Sequence, residues 1–126
     1  MRDVGTFRTT ISIEHPAHRG VLRTVDDVLV DSGSDFTWIP RAVLEALGVA
    51  RERTERMIAA DGRILERDIG FGIVHVEGKS TNDDVVFAEA GDLVLLGARS
   101  LEGLNLRVDP RERRLVPGGP IVAAVA

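Results

Sequence analysis

The sequence predicts an all-β domain with two short helices. Three observations carry this expectation: apolar and polar residues alternate with period two in segment after segment, turn signals separate those segments, and only two stretches recur at helical spacing. At 126 residues the chain is long enough to bury about two-thirds of its unfolded surface around a single core.

Residues 7–14 alternate with β-branched side chains and read as a half-buried strand that ends in the loop His15-Pro16-Ala17-His18-Arg19-Gly20. His15 and His18 would pair on a metal only if they shared a helix, and Pro16 and Gly20 argue against one, so a solvated turn is expected. Residues 21–30 continue as a second strand, apolar on both faces near Leu29. Pro40 opens a helix in which Ala42, Val43, Ala46 and Leu47 recur until Gly48 ends it. Residues 59–63, with their Asp-Gly pair, join Met57-Ile58 to Ile64-Leu65 as a β-hairpin. Residues 69–77 and 84–88 read as strands separated by a polar turn over 78–83. The wholly apolar run 93–97 suits a strand buried on both faces, and 98–103 leaves room for a helical turn or two. Residues 104–109 and 114–116 form a last hairpin about the charged turn 110–113. The spacer Pro117-Gly118-Gly119-Pro120 then leads into an apolar tail, 121–126.

Composition excludes several function classes. The formal charge of -4 comes from acids and bases scattered together, so no basic stripe marks a nucleic-acid partner. Without cysteine there is no disulfide framework, thiolate nucleophile or Cys-based metal site. No run approaches the eighteen or so apolar residues of a membrane span, and residues 1–5 lack a leader-like core, which makes the cytoplasm the default expectation.

The chemistry points to one stretch, Val30-Asp31-Ser32-Gly33-Ser34, where an apolar strand runs straight into a carboxylate, a hydroxyl and a glycine. A carboxylate at a rigid strand end is held in place while the following turn exposes its oxygens. Gly33 lets its N–H approach the carboxyl group, and a Ser34 hydroxyl donating to an ionised carboxylate favours the charged form. The same four residues also suit an ordinary turn, and such a pattern arises by chance in roughly one per cent of chains this long. The flanks decide between the two readings.

Asp31-Ser32-Gly33-Ser34, an Asp-Gly hairpin some way downstream, and Leu95-Leu96-Gly97 before a short helix stand in one order. Together they resemble the retropepsin-like aspartic proteases of clan AA, over residues 7–116. The likeness extends to the small bacterial single-domain type through Ile39-Pro40, Leu47-Gly48, Ala60-Asp61-Gly62 and Val108-Asp109-Pro110. It implies a closed acid-protease barrel, one lobe per chain, over 1–116, with 117–126 as a candidate dimer strand. Asp31 is then catalytic, Ser32 and Gly33 shape the active-site loop, and Ser34 is its variable position. Asp35, Phe36, Trp38 and Leu95 fall where the family binds substrate, and Ala60, Asp61 and Gly62 where its flap lies. Trp38 also reads equally well as a core or interface residue, and Asp61 as a turn former. The chain departs from retroviral members in placing Ala98 directly after Gly97, with Arg99 one residue later.

Peptide hydrolysis of this kind needs two carboxyls sharing a proton around one water, with one as base and the other as acid. One copy of the motif therefore implies a homodimer acting on a peptide or protein substrate, with no cofactor and no metal. Two alternatives stay open: a non-catalytic binding or dimerisation module on the same fold, and a metal hydrolase built on Asp31, Asp35 and a histidine.

Overall fold

The computed structural model describes residues 7–125; the leader reading at 1–5 and the final tail residue lie outside the described residues. The chain runs β1 (Phe7–His15), β2 (His18–Val30), β3 (Thr37–Pro40), α1 (Arg41–Ala46), β4 (Arg53–Ile58), β5 (Ile64–Val76), β6 (Lys79–Ala88), β7 (Leu95–Leu96), α2 (Ala98–Leu104), β8 (Leu106–Asp109) and β9 (Arg114–Pro117).

β1 pairs antiparallel with β2 and, through residues 12–14, with β5 as well. β7 lies between β2, to which it runs parallel, and β3, to which it runs antiparallel. β3 is parallel to β6, and β6, β5 and β4 continue antiparallel. β8 and β9 form a separate hairpin. The apolar crowding read near Leu29 reflects central burial, since Val28 and Val30 are wholly enclosed, each such side chain contributing ~1.5–3 kcal/mol. α1 packs on the core through Leu44, and α2 through Leu101 and Leu104.

A β-bulge interrupts the β1–β2 ladder just before this buried end, where Asp26 and Asp27 together oppose Thr10 and Asp27 takes φ 57°. The Thr10 hydroxyl donates to Asp26 Oδ1 at 3.0 Å and Arg8 Nη1 donates to the Asp27 carbonyl at 2.9 Å, which holds the extra residue in place. Bulges re-aim the strand beyond them, and here that strand ends at Val30.

Several boundaries differ from the sequence expectation. β2 begins at His18 because a tight Pro16-Ala17 turn pairs His15 with His18, their rings 4.2 Å apart. The turn expected over 78–83 is only Glu77-Gly78, with φ of 55° and 77°, the positive pair that two-residue hairpins favour. Residues 80–83 therefore belong to β6 and pair with 72–75. Residues 64–76 form one unbroken strand. The apolar run 93–97 contributes only Leu95 and Leu96 to the sheet, while Leu93 is half exposed. α2 reaches Leu104, so β8 starts two residues late, after Asn105 in the left-handed conformation. Past Pro117, Asn105 fastens Gly118 and Gly119 by hydrogen bonds, and residues 121–125 lie exposed and outside the strands of the single chain.

Candidate active site

Asp31 is the first residue after β2, and its backbone N–H donates to the Leu96 carbonyl at 3.0 Å, tying the acidic loop to β7. The Ser34 N–H closes the turn on the Asp31 carbonyl at 3.1 Å, and the Gly33 N–H donates to Asp31 Oδ1 at 3.0 Å. The expectation for Ser34 needs correction: its hydroxyl donates to the Phe36 carbonyl, at 3.4 Å, while the Gly33 amide is among the groups that meet the carboxylate.

Gly97 lies directly beneath this loop. The Ala98 N–H donates to the Ser34 carbonyl at 2.7 Å and the Arg99 N–H to the Asp35 carbonyl at 3.0 Å. A Cβ at position 97 would collide with the Phe36 carbonyl and come 2.8 Å from the Ser34 oxygen, so only glycine permits this approach. Below it, the Gly97 N–H donates to Thr37 Oγ1, which shares a 2.6 Å hydrogen bond with Ser100 Oγ, and that hydroxyl reaches Asp83 Oδ2 at 2.9 Å. Thr37 and Ser100 are wholly buried, and every polar atom in this column is satisfied. Arg99 lies over the Phe36 ring at 5.0 Å and reaches Asp83 and Asp84 at 3.5 and 3.6 Å. It thus braces the loop from outside, by its backbone on Asp35 and its guanidinium on Phe36.

Asp31 opens on a cavity of about 400 Å³ walled on one side by the β4–β5 hairpin. Ser34, Trp38 and Leu95 of the residues singled out in the sequence line it too. Asp35 is exposed and Phe36 lies under Arg99; neither is part of this lining, and neither are Ala60, Asp61 and Gly62, which make up the exposed hairpin turn. That turn is closed by the Ala59 N–H on the Arg63 carbonyl and by Gly62 at φ 90°. The residues that do reach the cavity from the hairpin are Met57, Ile58, Ala59, Arg63 and Leu65.

The remaining wall is the loop before β7, with Gly91, Asp92 and Leu93, which sequence reasoning did not single out. Asp92 is fixed by a two-pronged ion pair with Arg67 at 2.7 and 2.8 Å and accepts the Glu89 N–H at 2.8 Å. Arg67 foremost, with the Glu89 amide behind it, holds the Asp92 carboxyl below its ordinary range against the opposing effect of burial. The histidines lie away from this cavity: His15 and His18 stack in the β1–β2 turn, and His75 binds Glu14 at 2.7 Å. Among the described residues no three His, Asp or Glu side chains group so as to hold a metal.

The chain is similar to the solution structure of the simian foamy virus (mac) protease, at 20% identity and a TM-score of 0.51, over 76% of this chain and 92% of that one. The fold is retropepsin-like. No family model and no curated protein sequence matches the chain.

Proposed function

We propose that the chain is an aspartic endopeptidase that works as a homodimer, with Asp31 of each copy contributing one carboxyl to a pair that activates water. The observation that carries this reading is the placement of Asp31, fastened to β7 at the end of a buried strand and open to a cavity beside a hairpin. The likeness of fold to a viral protease supports it, as does the chemistry. Two carboxyls held close cannot both ionise, so one is base to the water while the other is acid to the departing amine. One such loop per chain leaves the second carboxyl to a second copy, related by a two-fold axis. We also read the run of pairings β1–β2–β7–β3–β6–β5 and back to β1 as a closed barrel, which would give Asp31 a rigid base.

Asp31→Asn tests this, because it keeps shape and hydrogen-bonding capacity but removes the acid. Peptide cleavage should fall by at least ~100-fold while the circular dichroism spectrum and the sedimentation coefficient stay unchanged. Cleavage by Asp31→Asn at the wild-type rate would refute the mechanism. Absence of cleavage by either protein across a broad peptide library would shift the reading to a binding module on the same fold.

A further inference from the structure

Arg63 is the cationic residue among those described as lining the cavity. Its Nε donates to Asp61 Oδ2 at 2.8 Å and its backbone N–H to Asp61 Oδ1 at 3.1 Å. Asp61 thereby fixes one edge of the guanidinium, and the edge carrying Nη1 and Nη2 has no hydrogen bond to any described residue. Two parallel N–H groups on that edge match the fork of a carboxylate. Of the acids in the cavity, Asp92 is engaged by Arg67, and Asp31 accepts the Gly33 N–H. The rest of the lining is mostly apolar, chiefly Trp38, Met57, Leu65, Leu93 and Leu95, with Ser34. The cavity therefore offers a mostly apolar lining with one cationic side chain contributed by the hairpin.

We infer that Arg63 selects peptides in which a carboxylate side chain lies two residues from a large apolar one. In an extended peptide, side chains two apart share a face and are about 7 Å from one another. The apolar side chain fills the cavity, and the acidic one meets the outer edge of the Arg63 guanidinium. This rests on the reading that an extended peptide occupies the cavity. It makes Arg63 a specificity residue, with Asp61 as the group that positions it.

The chain's single tryptophan, Trp38, lines the same cavity, so its fluorescence reports occupancy without turnover. The full chain carrying Asp31→Asn is titrated at pH 6 with two peptides, one bearing a central Leu flanked by Glu at both positions two residues away, the other Gln at those positions. The Glu peptide should bind about threefold to fivefold more tightly, as expected for an ion pair with an exposed partner. Adding Arg63→Gln should bring the two to parity, and Arg63→Glu should reverse their order. Equal binding of both peptides, no binding of either at millimolar concentration, or a preference that survives Arg63→Gln would overturn the inference. Cleavage of the same pair by the wild-type chain separates the two claims. Discrimination in binding without cleavage defeats the peptidase reading alone; cleavage with no discrimination defeats the role of Arg63 alone.

Discussion

At the scale of single residues, the site depends on backbone fit as much as on the acid. Gly97 has φ -100°, a conformation open to any residue, so its requirement for glycine is steric: the Phe36 and Ser34 carbonyls occupy the space of a Cβ. Gly97→Ala should therefore push the acidic loop off β7, costing ~1–3 kcal/mol of stability as overpacking does, together with most of the activity. A lowered urea midpoint at unchanged m-value, with weakened cleavage, checks this; a variant as stable and active as wild type would contradict it. The strand end before Asp31 and the turn through Ser32 and Gly33 were legible in the sequence because the strand-turn pattern is local. The column Thr37, Ser100 and Asp83 was not, because its members stand 63 and 17 positions apart and meet only through the pairing of β3 with β6 and β7. The Ser34 hydroxyl, expected to face the carboxylate, instead donates to the Phe36 carbonyl.

At the scale of elements, the hairpin and the loop before β7 act as facing walls, and one ion pair joins them. Arg67 lies on β5 at the base of the hairpin, and Asp92 lies on the loop, both largely enclosed. Arg67→Met would leave the Asp92 carboxylate without its cation, at a cost of about 1–3 kcal/mol, and would loosen the Leu93 wall. The expected result is a raised KM with kcat less affected, because in the proposed mechanism the wall would bind substrate and Asp31 would do the chemistry. A fall in kcat at unchanged KM would show instead that this pair acts on the reacting groups. The hairpin was legible from its Asp-Gly pair and flanking apolar residues. Which of its residues turn inward was not, since the bend places Ala59 and Arg63, at the two ends of the turn, at the cavity and leaves the tip residues outside.

At the scale of the molecule, the parallel pairings of β2 with β7 and β3 with β6 bring distant segments under Asp31. No periodicity within either segment announces its partner, so the alternating strands were readable and their order was not. The resemblance supplied the expectation of a barrel and no strand order. An enzyme of the proposed kind works at acidic pH, and the whole fold must remain intact there. Glu14 bears on this, because it is nearly enclosed yet its carboxyl is held down to about 2, first by the Gly20 N–H, then by His75 and Arg19, against the opposing effect of burial. Asp68, held chiefly by Arg41, and Asp92, held chiefly by Arg67, are lowered as well. Such groups are protonated in the unfolded chain before they are in the folded one, so the unfolded state binds more protons as the medium becomes acidic. The stability contributed by Glu14 is therefore complete above its ordinary value of 4.5 and is lost as pH falls toward 2. Glu14→Gln should be less stable than wild type at pH 7 and equally so at pH 5.5, with the gap narrowing between pH 4.5 and 2. Urea midpoints at pH 7, 5.5, 4, 3 and 2 measure it directly. A gap that stays constant on acidification would show that Glu14 takes up its proton alike in both states, and one that widens that the folded state takes it up more readily; in either case the acid limit of the fold would have to lie with other carboxylates.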